Sequence, residues 1–105
     1  MNRQQQIDSF LRDAHLLALT RLREHPERIG EVQAQLSRWR TQSGSTRSDP
    51  YLDTWEKLLG EPVDVLEQRV CGNSDAAAAL RNVSPMSVLI TQRERTGLLQ
   101  KARCL

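Results

Sequence analysis

Histidines and cysteines are the residues whose spacing would indicate metal binding or nucleophilic catalysis. The chain has two of each: His15 and His25 are ten residues apart, and Cys71 and Cys104 lie far from both. None of them stands at the spacing of a zinc site or of a paired Cys/His nucleophile. The five glycines are isolated, so no phosphate-binding loop is present. We therefore expect no metal and no cofactor, with His15 at the boundary of an apolar helix face.

Carboxylates form the second candidate set. Asp49, Asp53 and Glu56 are separated by steps of four and three residues, so on a helix they share one face. A second acidic group follows at Glu61, Asp64 and Glu67. Such carboxylates can hold Mg²⁺ or Ca²⁺ or act in acid–base catalysis. A solvated acidic face is the simpler interpretation, because a chain of 105 residues leaves little room for a catalytic pocket. We expect the protein not to be an enzyme.

The segment at about 76–95 resembles part of a helix-turn-helix signature. In that motif a small residue on the first helix precedes a turn residue by four positions, and a hydrophobe, a serine and a β-branched residue follow. The matching positions are Ala78, Asn82, Val83, Ser84 and Val88. The resemblance implies a DNA-binding transcriptional regulator with a recognition helix that begins at Pro85. The basic residues that would contact phosphates are Arg81, Arg93, Arg95, Lys101 and Arg103.

Charge is distributed in three blocks along the chain. Residues 1–48 carry eight basic and five acidic residues (+3), residues 49–80 two and seven (−5), and residues 81–105 five and one (+4). The blocks can neutralise one another within the fold or across a dimer. Alternatively, a basic end can meet an anionic partner. We expect the first arrangement, since blocks of this size are easily solvated.

Apolar residues at helical spacing predict two N-terminal helices. The first spans about residues 4–24, and His25 with Pro26 ends it because the residue before a proline is forced out of the helical region. The second spans about residues 26–40, with apolar residues at steps of three and four. The short break between them predicts an antiparallel helical hairpin at about 4–40.

The rest of the chain predicts a compact C-terminal helical region at about 49–103. Residues 41–48 hold no apolar residue and are rich in Ser, Thr and Gly, which is typical of a flexible linker. Asp49 and Pro50 begin a central helix that carries Trp55, and Thr91 with Glu94 forms a capping box for the last helix. No alternating strand pattern is present. The fold class is therefore all-α, a small bundle of five to six short helices in one domain, 1–105.

An interaction role is the leading functional hypothesis. An isolated hairpin cannot hide its own apolar stripe, so we expect self-association as a homodimer. The expected self-association face is Phe10, Leu17, Ile29, Leu36 and Trp39. The protein would be a non-catalytic adaptor or regulator of an unknown protein partner, and DNA binding through residues 76–95 is the alternative. A polar N-terminus, two cysteines and no long apolar run predict a cytoplasmic protein without a membrane segment.

Overall fold

A computed structural model describes residues 3–104 as helices joined by short turns. The helices are α1 (Arg3–Glu24), α2 (Ile29–Ser43), α3 (Asp49–Leu58), α4 (Val63–Val70), α5 (Asp75–Asn82) and α6 (Gln92–Arg103). Two 3₁₀ helices lie between them, at Pro26–Arg28 and at Pro85–Leu89. This part of the chain contains no strand. The prediction of an all-α bundle with up to six short helices is confirmed.

Local side-chain signals explain several of the helix boundaries. Pro26 lies one residue beyond the end of α1 and opens the first 3₁₀ helix, since its ring fixes φ and it has no N–H to donate. Ser74 caps α5 by accepting a hydrogen bond from the Ala77 N–H. At α6, the Thr91 hydroxyl accepts from the Glu94 N–H at 3.1 Å, and the Glu94 carboxylate accepts from the Thr91 N–H at 2.8 Å. The predicted capping box is therefore confirmed.

The long helix α1 lies at the centre of the packing. It contacts α4, α5, α6 and the Pro85–Leu89 helix, whereas α2 packs mainly on the Pro85–Leu89 helix and on α3. Each helix of the predicted N-terminal hairpin at about 4–40 thus packs chiefly on the C-terminal region. The physical reason is that the C-terminal segments offer both helices an apolar surface to cover.

One cluster of buried side chains draws on both halves of the chain. Trp55 of α3 is fully buried, and its indole N–H donates to the Leu80 carbonyl at 3.0 Å. The N-terminal half contributes Ala18, Leu19, Leu22, Val32 and Leu36 to the same cluster. The C-terminal half contributes Leu52, Leu58, Leu59, Leu66, Val70, Cys71, Met86 and Leu89 besides Trp55 and Leu80. The two halves therefore share a single hydrophobic core.

The non-helical segment between α2 and α3 is shorter than the predicted linker 41–48. Helix α2 continues to Ser43, and Gly44 then takes a φ of 63°, a conformation that favours glycine. The Asp49 carboxylate accepts hydrogen bonds from the Thr46 N–H at 3.2 Å and from the Ser45 hydroxyl at 3.1 Å. These bonds hold the turn against the start of α3. Bending at this segment stays a prediction.

Candidate binding groove

Ion pairs join the basic N-terminal block to the acidic middle of the chain. Arg23 Nη2 lies 2.7 Å from Asp64 Oδ1, and its Nη1 lies 2.9 Å from Glu67 Oε1. Arg40 likewise pairs with Asp53 and Glu56. The expectation that the charge blocks neutralise one another within the fold is met here. Between residues 3 and 104, no group of three or more His, Cys, Asp or Glu side chains could hold a metal ion.

A bidentate ion pair joins α6 to α1. Arg21 Nη1 and Nη2 donate to the two Glu94 carboxylate oxygens at 2.7 and 2.6 Å, and Nη1 also donates to the Leu89 carbonyl at 2.8 Å. The Arg21 guanidinium, assisted by the Thr91 N–H, lowers the pKa of Glu94 to about 2. The same carboxylate therefore caps α6 and fixes that helix against α1.

A groove of about 460 Å³ opens among α1, α2, the end of α5, the Pro85–Leu89 helix and α6. This volume is within the range of protein binding sites, roughly 300–1,000 Å³. Its apolar wall is formed by Phe10, Leu11, Ala14, Trp39, Val83, Met86 and Ile90. Its polar groups come from His15, Ser48, Arg81, Asn82, Ser84, Ser87 and Arg95. We take this groove as the candidate functional site.

His15 and Ser84 form a buried hydrogen-bonded pair in the groove. His15 Nδ1 lies 2.7 Å from the Leu11 carbonyl, which can only accept, so Nδ1 carries the proton. Nε2 lies 2.7 Å from Ser84 Oγ and accepts from that hydroxyl when the ring is neutral. Burial lowers the pKa of His15, with a further lowering by Arg81 and an opposing effect of the Leu11 carbonyl. The imidazole is therefore a neutral link between α1 and the Pro85–Leu89 helix.

A neutral imidazole beside a serine hydroxyl is also the arrangement of a general base and a nucleophile. In this pair a main-chain carbonyl orients His15, where a hydrolase more often uses a carboxylate. The Ser84 hydroxyl also accepts the Met86 N–H at 3.1 Å and so caps the Pro85–Leu89 helix. We assign the pair a structural role. The sequence predicted His15 at the edge of the apolar helix face, whereas the structure buries it. The position of His15 between Ala14 and Ala18 was the feature of the sequence that could have indicated this burial.

Arg81 lies in the interior, with 7% of its surface exposed. Its Nη1 donates to the carbonyls of Val70 at 2.6 Å and Gly72 at 2.9 Å, which are free at the end of α4. The side chain thus binds main-chain oxygens of its own chain, an arrangement that does not favour the predicted contact of Arg81 with DNA phosphate; that contact stays a prediction. An unusually buried arginine was not detectable from the sequence, because its partners are nine and eleven residues away and depend on the turn between α4 and α5.

The other predicted phosphate contacts are exposed on α6 but do not form one stripe. The Arg95 guanidinium lies 5.3 Å above the centre of the Phe10 ring, and Lys101 Nζ is 3.7 Å from Asp13 Oδ2. Arg93 and Arg103 are exposed as well. On an α-helix, Arg93 and Arg95 are separated by roughly 200° of rotation about the helix axis, so they point to nearly opposite sides. The structure thus places these four cations on different sides of α6.

The segment at 76–95 does not contain the continuous recognition helix that a helix-turn-helix motif needs. Pro85–Leu89 is a 3₁₀ helix of five residues, and Ile90 and Thr91 are extended before α6 begins. Pro85, Met86 and Leu89 are buried in the core. A helix this short and this buried cannot lie in a major groove. DNA binding by the chain stays a prediction, without support from this geometry.

The predicted self-association face is divided between the interior and the surface. Phe10 and Leu36 are buried within the single chain, and Leu17, Ile29 and Trp39 are half-buried. The C-terminal region thus covers much of the stripe that an isolated hairpin would expose. Phe10 and Trp39 both line the groove. Among residues 3–104, the large apolar residues that remain exposed are Ile7, Leu16 and Tyr51. Self-association stays a prediction.

The fold alone does not indicate a function, because small helical bundles carry many unrelated activities. No helix within residues 3–104 is long and apolar enough to cross a membrane. Comparison of the chain with protein-family models, with curated proteins and with solved structures found no match in any of the three.

Proposed function

We propose that the protein is a small non-catalytic interaction protein that binds a partner protein in the groove. The observation that carries this proposal is the pairing of aromatic and arginine side chains in an open concave site: Phe10 under Arg95, with Trp39 on the same lining. Tryptophan, tyrosine and arginine dominate the binding energy of protein interfaces. A groove with this lining offers the buried aromatic anchor and the planar cation that such interfaces use.

The apolar surface extends beyond the groove along α1. Ile7 is 37% exposed and precedes Phe10 and Leu11 by three and four residues, so the three side chains share one face of the helix. A partner segment that fills the groove can therefore continue along the first two turns of α1. This extension favours a peptide or a helix as the occupant over a compact small molecule.

Site-specific photo-crosslinking tests this proposal. A photoreactive residue replaces exposed Ser87 in the groove, and a matched protein carries it at exposed Gln68 on α4, outside the groove. We expect a discrete crosslinked protein from position 87 that is absent from position 68. Equal crosslinking at both positions, or none at position 87, would contradict partner binding in the groove.

Self-association is a second candidate, favoured by Leu17, Ile29 and Trp39 of the N-terminal helices, which are only half-buried. Sedimentation equilibrium of the full chain measures it directly. A homodimer at micromolar concentration that Trp39→Ala weakens is the expected result, and a monomer at high micromolar concentration contradicts it.

DNA binding is the alternative inherited from the resemblance of residues 76–95 to a helix-turn-helix signature. The observation that still favours it is that Arg93 and Arg103 are exposed and form no ion pair with the described residues. Binding through phosphates would weaken steeply with salt, because it releases counterions. Duplex binding that is unchanged by replacing Arg93 and Arg95 with Ala would exclude this alternative.

A further inference from the structure

We infer that the partner segment that occupies the groove is acidic, with a carboxylate next to an apolar side chain. This inference rests on the proposed function and names the chemistry of the partner. The charged residues that line the groove are Arg81 and Arg95, and neither an aspartate nor a glutamate is among its lining residues. The site therefore has a positive potential that a carboxylate complements.

Arg95 is the cation that such a carboxylate can reach. Its guanidinium lies over the Phe10 ring, 5.3 Å from the ring centre, and forms no ion pair with a carboxylate of residues 3–104, and the residue is exposed. By contrast, Arg21 and Arg23 each bind carboxylates of the same chain. A guanidinium that lies over an aromatic ring keeps N–H donors for a carboxylate, and its planar fork suits a bidentate one.

Arg81 adds a second positive charge at the inner side of the groove. Its bonds to the Val70 and Gly72 carbonyls satisfy donors but bring no negative charge. A carboxylate bound in the groove is attracted by this charge even without direct contact. The neighbouring His15 is neutral and contributes hydrogen bonds rather than charge.

The rest of the groove lining indicates that the ligand also has an apolar part. Trp39 and Ile90 are half-buried beside Phe10, and they leave apolar area that a leucine or phenylalanine side chain can cover. Ser87 and Asn82 are exposed on the lining and can bond to a peptide backbone. A phosphodiester chain would meet Arg95 but could cover this apolar wall only with its bases, so we favour an acidic peptide.

The test uses the full chain and two short peptides that differ only in charge. Acetyl-Leu-Asp-Phe-amide and acetyl-Leu-Asn-Phe-amide are titrated into ¹⁵N-labelled protein, and the indole N–H signal of Trp39 and the amide signals around Arg95 are followed. We expect the aspartate peptide to shift these signals and to bind about fivefold more tightly than the asparagine peptide. Arg95→Ala should abolish this preference, and the matched Arg93→Ala on the same helix should retain it.

Several results would overturn the inference. These are equal binding of the two peptides, no shift of the groove signals with either peptide, a preference that survives Arg95→Ala, and displacement of the aspartate peptide by a single-stranded oligonucleotide at lower concentration.

The proposed function fails separately. A partner crosslinked from position 87 whose binding ignores Arg95→Ala leaves partner binding intact and refutes its acidic character. A preference for the aspartate peptide without any protein crosslinked from position 87 refutes partner binding in the groove and leaves the preference of the groove for a carboxylate intact.

Discussion

The hydrogen bond between Ser84 and His15 is the residue-scale contact on which the groove depends most. It joins residues 69 positions apart, and the same hydroxyl caps the Pro85–Leu89 helix. Ser84→Ala leaves His15 Nε2 without its partner and the Met86 N–H without its acceptor. Loss of such buried bonds costs about 1–3 kcal/mol. Urea unfolding should show this loss, and Ser87→Ala, at an exposed neighbouring serine, should change the free energy of unfolding by less than about 0.5 kcal/mol. Equal effects of the two substitutions would contradict the role of the pair.

The same pair makes stability depend on pH. Burial lowers the pKa of His15 from its ordinary value of 6.5, so below that pH the unfolded chain binds a proton that the folded chain does not. The contribution of neutral His15 to the free energy of unfolding is therefore fully present above pH 6.5. It is lost as the pH falls toward the pKa of His15 in the folded protein. We expect the free energy of unfolding to fall as the pH decreases below 6.5. His25→Gln, at the exposed histidine, should keep this slope, whereas His15→Gln should reduce it.

At the scale of elements, the attachment of α6 depends on one carboxylate. Glu94 completes the capping box and pairs with Arg21, so Glu94→Gln weakens both the helix start and its contact with α1. The pKa of Glu94 is about 2 instead of 4.5, so its contribution is present above pH 4.5 and is lost as the pH falls toward 2. Thermal unfolding should show a lower midpoint for Glu94→Gln at neutral pH and a shrinking difference below pH 4.5.

The matched control for this experiment is Glu61→Gln, because Glu61 is exposed and forms no ion pair with the residues that the structure describes. Its melting temperature should follow the wild-type value at every pH. If Glu94→Gln differed from the wild type by the same amount at low and at neutral pH, the ionised pair with Arg21 would not be the source of the effect.

The sequence predicts where helices begin and end better than it predicts which helices pack together. Helix ends depend on neighbours in the chain, so Pro26 and the Thr91–Glu94 box were recognisable from residue types alone. Which helices pack together depends on the total apolar area that each arrangement buries, which no local pattern records. Residue types alone therefore predict neither the packing of α1 and α2 on the C-terminal region nor the burial of Arg81, which two distant carbonyls hold inside.

At the scale of the whole molecule, the shared core makes the two halves interdependent. Leu19, Leu22 and Val32 of the N-terminal half are fully buried only because the C-terminal half covers them, and Trp55 is enclosed in the same cluster. A fragment of residues 1–44 loses that cover and cannot offset the entropy of ordering its helices. We expect it to have little helical circular dichroism alone, and to regain helix when a fragment of residues 45–105 is added. Cooperative thermal unfolding of the isolated 1–44 fragment would show instead that the hairpin is an independent unit and that residues 41–48 link two separate folding units.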